Sequence, residues 1–217
     1  MATLAYYDIR GLAQPIRFLL AYLGVKYTDK HYTDREEWFG KDKQGLGLDF
    51  PNLPYYIDQN IKVTESSAIP IYLIKKNKRN DLLGQNPDGS YNEREVRVQQ
   101  LTGVLNDIKK EYFPILFNAE LYAKKDEVYS TKLQGKLTDL TTHLGNKDFL
   151  AGTLSYADFI FYEILIPFRH IFPASITPTL AAYIQRFESL PGIKEYIANP
   201  SINLKNFYGK TAQWIAP

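Results

Sequence analysis

The 217-residue chain contains no cysteine. That absence removes disulfides, thiolate metal sites and a protein-borne thiol nucleophile together, so any sulfur chemistry has to arrive on a ligand. Histidine is nearly as scarce: the 3 present, His31, His143 and His170, show no ligand spacing, and no metal site is expected. Neither sign of charge is in excess, with 26 Lys plus Arg against 24 Asp plus Glu and a net charge of +2. Such a balance gives no electrostatic reason to expect a nucleic acid or a membrane surface as partner. No apolar run reaches spanning length, and the opening MATLAYYDIRG has neither the basic region nor the apolar stretch of a signal peptide. A cytoplasmic location is expected. A phosphate-cradling glycine pattern, a nucleophile elbow and a basic-aromatic strip are also missing. Arg10 and Arg17, the two arginines of RGLAQPIR, read as a solvated helix edge.

What is present is apolar and aromatic. At 45% hydrophobic the chain buries a real core, and its 17 Tyr and 12 Phe suit packing as well as a site for apolar ligands. Residues 4–7 read as a strand, and GLAQPIRFLLAYLG as a helix with Pro15 in its first turn, Ile16, Leu19, Leu20 and Leu23 at helical spacing, and Gly24 as the stop. Residues 25–32 read as a second strand, 55–57 and 61–64 as a hairpin around Gln59-Asn60, and 66–76 as a helix behind a Ser cap. The polar stretch KKNKRNDLLGQNPDGSYNERE reads as a linker. Beyond it the pattern is helical: 96–117 with a kink at Pro114, 124–144, 156–168, 179–190 and 192–198. Ser155 and Asp158 form a capping box before the apolar run 159–168, a folding element for which Asp158→Ala is expected to cost about 1 kcal/mol. The order βαβ, ββα, then helices predicts a thioredoxin-like α/β domain over 1–80, a linker over 81–91 and an all-α domain over 92–217.

YYDIRGLAQPIR, LGLDFPNLPYYID, ESSAIPIYL, FLAGTLSYADF and GKTAQW, in that order, resemble the cytosolic glutathione S-transferases, and the mu class in particular. The likeness implies a glutathione-binding α/β domain and a helical domain that contributes the site for a hydrophobic electrophile. Glutathione is then a substrate, and no cofactor is implied. Tyr6, at the end of the first strand, matches the family's catalytic tyrosine, whose hydroxyl donates to the glutathione sulfur; Tyr7 stands where mu enzymes carry tryptophan. Alternation sends two adjacent strand residues to opposite faces, so only one can point at the site, and the alignment favours Tyr6. On strand propensity alone either tyrosine is ordinary packing.

The remaining roles are also what the resemblance implies. The bond before Pro54 is cis in the family, turning Leu53 outward so that its N–H and C=O pair with the cysteinyl part of glutathione. Ser66 and the helix start hold the γ-glutamyl carboxylate, and Glu65, where mu enzymes have glutamine, faces the ammonium; a lone Ser here is otherwise an N-cap. Asp107 reaches the partner's γ-glutamyl ammonium, or else is a helix-surface charge. Trp38, Lys43 and Asn52 match residues that contact the glycyl and cysteinyl parts, and Tyr7, Ile9, Leu12, Phe117 and Tyr208 match the electrophile pocket. Phe50 matches an aromatic key that enters the partner in a two-fold homodimer; the alternative is a buried loop aromatic. The stretch HYTDREEWFGKDKQ lacks the mu-class loop, which leaves one edge of the pocket more open. The detoxification-type transferase reaction is the activity implied. A glutathione-dependent isomerase, a carrier of hydrophobic ligands and a structural protein of the same fold are the alternatives.

Overall fold

The computed structural model describes residues 1–214. Strand β1 (Ala2–Tyr7), rich in Tyr, Leu and Thr, buries Leu4, Ala5 and Tyr6. It pairs in parallel with β2 (Tyr27–Tyr32) and antiparallel with β3 (Tyr55–Ile57), which pairs antiparallel with β4 (Lys62–Thr64). The sheet order is therefore β2-β1-β3-β4, the mixed sheet of a thioredoxin-like unit. Helix α1 (Gln14–Tyr22) makes the parallel crossover, with Pro15 in its first turn and Ile16, Leu19 and Leu20 buried. Gly24 ends it at φ +65°, where the amide of Val25 reaches Leu20 O at 3.0 Å.

The turn Glu37–Asp42 runs into the short helix α2 (Lys43–Gly45) beyond β2. Helix α3 (Ala68–Lys76) starts later than the sequence suggests, behind Ser67 and not Ser66, and no side chain caps it. The backbone closes that turn instead. Glu65, at φ +73°, turns its carbonyl to the amides of Ala68 and Ile69 at 3.0 and 3.1 Å, which leaves Ser66 uncommitted to capping. The stretch read as linker begins inside the turn Asn80–Leu83, where Leu82 and Leu83 are buried.

Helix α4 (Glu93–Phe117) is capped by Asn92 and carries Pro114 in its last turn. A short helix α5 (Ala119–Ala123) precedes the stretch 124–144, and the single helix expected there is broken into α6 (Lys125–Val128), the turn Tyr129–Leu133 and α7 (Gln134–Leu144). Helix α8 (Tyr156–Ile171) is central and almost wholly buried behind the Ser155–Asp158 capping box; α9 (Pro178–Glu188) packs on it, and α10 (Ile193–Ala198) packs on α1 and α9. One hydrophobic cluster runs from Leu4 of β1 through α1 and α3 into α4 and α8. Phe18 of α1 meets Tyr162 and Phe187 edge to face, 5.3 and 5.9 Å between ring centroids, so the sheet unit and the helical unit share a core.

The two arginines read as a solvated edge are buried. Arg10 binds both oxygens of Glu163 on α8, at 2.9 and 2.6 Å, with a third bond to Leu204 O at 3.0 Å. Arg17 binds Asp29 at 2.9 Å and Ile9 O at 2.8 Å. The Arg10 fork is matched by both oxygens of Glu163, whereas Arg17 is held through Nε and Nη1 and its Nη2 is left without a partner among the described residues.

Candidate functional site

Tyr6 is the penultimate residue of β1, only 7% exposed, and packs beneath Leu12, which lines the cleft between the two units. Burial raises its phenol above the ordinary tyrosine value, partly offset by the Leu12 amide facing its oxygen. The hydroxyl is thus neutral at physiological pH and available as a donor. Alternation does not separate it from Tyr7: the rings meet edge to face at 5.4 Å, because the chain turns at once, Ile9 N donating to Tyr7 O at 2.7 Å. Tyr7 is half-buried.

The loop after Tyr6 is clamped from the far end of the chain. Arg10 N donates to Asn206 O at 2.8 Å and Gly11 N to Phe207 O at 3.2 Å, while the Asn206 side chain binds Asp8 O. Gly11, at φ +43°, brings its α-carbon against the Tyr6 ring. No motif in the sequence flagged Gly11, Asn206 or Phe207, since each acts through backbone geometry that spacing does not encode.

Tyr6, Leu53 and Trp38 belong to one small cluster with Tyr32, Leu48 and Tyr55. The Leu53–Pro54 bond is cis. The Leu53 amide is not open: it donates to Asn52 Oδ1 at 2.9 Å, and Asn52 Nδ2 donates to Glu65 Oε1 at 3.2 Å. A ligand pairing with Leu53 has to displace the Asn52 side chain, so Asn52 guards that amide. Trp38 is 2% exposed and stacks on Tyr55 with centroids 6.0 Å apart, which makes it core packing beneath the site. Lys43 lies beside it in α2, its ammonium 5.3 Å from the Phe39 ring.

Ser66 and Leu12 open onto the cleft itself, a cavity of about 580 Å³ that they share with Asn106, Lys109, Phe113 and Phe117. Phe117, 48% exposed, is the apolar lip of this cleft. Two expected pocket residues lie elsewhere. Tyr208 is buried with its hydroxyl paired to Tyr112, and it backs Phe113 and Phe117 from behind, at 6.0 and 6.3 Å between centroids. Ile9 lines a separate cavity of about 300 Å³ with Arg17, Asp29 and Tyr196. Phe113 and Lys109 were missed by the sequence reading; both lie on the α4 face that carries Phe117, at offsets of four and eight residues.

Phe50 is 78% exposed, so it is not a buried loop aromatic; Thr64 holds its carbonyl at 2.9 Å. Asp107 is exposed beside Lys110 at 3.2 Å and lines a groove of about 350 Å³ between α4 and α7 with Leu101, Val104, Leu140 and His143. It does not meet Ser66 within one chain's cleft.

Residues 2–75 match the family model described as the glutathione S-transferase N-terminal domain, and residues 106–200 the one described as the C-terminal domain. The chain is 38% identical over 201 residues to the class-mu 26 kDa glutathione S-transferase isozyme 51 of Fasciola hepatica, covering 90% of this chain and 88% of that one. It is 36% identical to glutathione S-transferase Mu 2 of Mus musculus, covering 98% and 97%. Among solved structures it resembles the glutathione S-transferase Blo t 8, with a TM-score of 0.78 at 29% identity over 98% of this chain and 99% of that one.

Proposed function

The chain belongs to the glutathione S-transferase family, and from that premise we propose that Tyr6 activates the glutathione thiol for addition to hydrophobic electrophiles held against α4. The observation that carries the reading is a buried, neutral phenol whose oxygen faces the amide of Leu12, a residue that itself lines the cleft together with Phe113 and Phe117. A free thiol with pKa ~8.5 is only a few per cent thiolate at neutral pH, and the thiolate is the nucleophile. Lowering that pKa by about two units requires about 2.7 kcal/mol in favour of the anion. One hydrogen bond to a charged acceptor supplies ~1.5–3 kcal/mol, so a single Tyr6 hydroxyl is enough. With an aryl chloride, the thiolate forms the C–S bond and chloride leaves with the C–Cl electron pair; the thiol proton goes to solvent.

Glutathione lies along β3 and the start of α3 in this reading. Its cysteinyl part takes Leu53 in place of the Asn52 side chain, its γ-glutamyl carboxylate takes Ser66, and its ammonium faces Glu65. Lys43 takes the glycine carboxylate, with Trp38 supporting the wall from within the core. Leu12, Phe113 and Phe117 line the electrophile's side, and Tyr7 packs beside Leu12. Homodimer formation fits the same picture, with exposed Phe50 seated in the α4–α7 groove of a second copy, where Asp107 stands at the edge.

Conjugation of glutathione to chlorodinitrobenzene by the wild-type chain, Tyr6→Phe and Tyr7→Phe tests this. Turnover lost in Tyr6→Phe alone, with glutathione binding retained, is the expected result. Equal turnover in wild type and Tyr6→Phe would overturn the assignment.

A further inference from the structure

Lys109 projects from the middle of α4 into the cleft, and no hydrogen bond or ion pair engages its ammonium among the described residues. Its surroundings explain why. Glu163 is the carboxylate whose charge acts on it, but both Glu163 oxygens are bound by Arg10, at 2.9 and 2.6 Å. Asp107, two residues back and on a different face of the helix, is paired with Lys110 at 3.2 Å. Among the described residues the attractive neighbour left is the Phe113 ring, its centroid 5.7 Å from Nζ. Burial holds the Lys109 pKa below the ordinary lysine value, with Glu163 opposing that shift. A partly buried ammonium with no carboxylate bound to it gains from a counter-charge brought by a ligand.

Its position also says where that charge would lie. Leu12, Ser66, Asn106 and Lys109 line both the 580 Å³ cleft and a second cavity of about 250 Å³ that extends toward Tyr156 between the units. Lys109 therefore stands at the seam between the proposed γ-glutamyl end at Ser66 and the apolar wall of Phe113 and Phe117. We propose that Lys109 is a specificity-determining residue that favours electrophiles carrying a carboxylate, whose acid group pairs with the ammonium while the apolar body lies on Phe113 and Phe117. The inference rests on the glutathione-binding reading above. A single ammonium point charge suits a single carboxylate; the planar fork that selects phosphate or bidentate partners is absent, since Arg10 is spent on Glu163.

Two unreactive S-alkyl glutathiones of equal chain length, one ending in methyl and one in carboxylate, test this by calorimetric titration of the full-length protein. The ratio of their affinities is the readout, and the methyl-ended conjugate reports that each variant is folded. Lys109→Met is expected to lower the carboxylate-to-methyl ratio about tenfold or more, about 1.4 kcal/mol per tenfold, and Lys109→Arg to restore most of it. Lys110→Met, whose ammonium faces Asp107, is expected to leave the ratio at its wild-type value. An unchanged ratio in Lys109→Met, or a drop in Lys110→Met instead, overturns the proposal. Failure of both conjugates to bind the wild-type protein overturns the glutathione reading beneath it.

Discussion

Gly11 lies so close to Tyr6 that a Cβ on it would stand 2.7 Å from Tyr6 Cε1 and 3.0 Å from the hydroxyl oxygen. The obstruction is a rigid ring, not a flexible tip, and the glycine's φ of +43° already disfavours any L side chain. The loop cannot simply lift away, because Arg10 and Gly11 are bonded to Asn206 and Phe207.

Gly11→Ala should therefore act on chemistry through Tyr6. Displacing a reacting group by about 1 Å can cost on the order of 100-fold in rate, so a drop of at least about tenfold in kcat is expected, with KM for glutathione little changed. A parallel fall in Tm is also expected from the strain. Wild-type kcat in the folded Gly11→Ala protein would show that the Tyr6 ring has room to move.

Asp158 is a larger element of stability than its capping-box motif suggests. One oxygen accepts from the Leu150 amide at 2.9 Å and the Tyr183 hydroxyl at 3.0 Å, the other from Ser155 N and Oγ at 2.8 and 2.9 Å, and the residue is wholly buried. Replacing it by Ala strands several buried donors, each costing about 1–3 kcal/mol. Loss of about 3 kcal/mol or more is expected for Asp158→Ala in denaturant unfolding, not the ~1 kcal/mol of an exposed cap. A midpoint shift equivalent to only ~1 kcal/mol would mean that water or rearrangement satisfies those donors.

That contrast marks what the sequence could and could not disclose. The capping box is local, three residues from cap to acid, so the string itself shows it; the bonds to Leu150 and Tyr183 come from a loop and a helix that only the fold brings in. Strands, helices and the stop at Gly24 were legible because periodicity and turn chemistry are local. Buried Arg10 and Arg17 were not, since their partners Glu163 and Asp29 lie 153 and 12 residues away. For the candidate site, the motif stretches singled out Tyr6, Leu53–Pro54 and Glu65-Ser66 as candidates by local sequence alone. The Tyr112–Tyr208 pairing that withdraws Tyr208 from the cleft depends on how α4 and the C-terminal segment pack, which no spacing rule predicts.

Asp58 gives the α/β unit an acid-sensitive pin. Burial alone would push its carboxyl up, but Lys76, the amides of Asn60 and Ile61 and the Tyr72 hydroxyl together bring it down to about 2. A carboxylate whose pKa is depressed on folding adds stability that is complete above the unfolded value, ordinarily about 3.9, and is lost as pH falls through the folded one. The β3–β4 hairpin and its tie to α3 should therefore weaken between about pH 4 and pH 2. Thermal melts across that range should show a slope that Asp58→Asn reduces, since the amide cannot change its charge; identical slopes would assign acid sensitivity to other carboxylates.

Phe50 and Asp107 make separable predictions about the proposed dimer. A phenyl ring 78% exposed gains from burial, and in a two-fold assembly it would be buried twice. If each copy contributes about 2 kcal/mol, as a central aromatic anchor does, Phe50→Ala weakens the dimer by about 4 kcal/mol, or roughly a thousandfold in Kd. Sedimentation velocity over a dilution series should then show monomer at concentrations where wild type remains dimeric. Asp107 is a different matter: it is exposed, its bond to Lys110 is a surface pair worth little, and its removal should leave the mass unchanged. If it faces the partner's γ-glutamyl ammonium, Asp107→Ala raises KM for glutathione several-fold with the dimer intact, whereas Phe50→Ala raises it only where the dimer has come apart. A normal KM in dimeric Asp107→Ala would return Asp107 to the helix surface, and a KM in Phe50→Ala independent of protein concentration would show that one chain holds glutathione unaided.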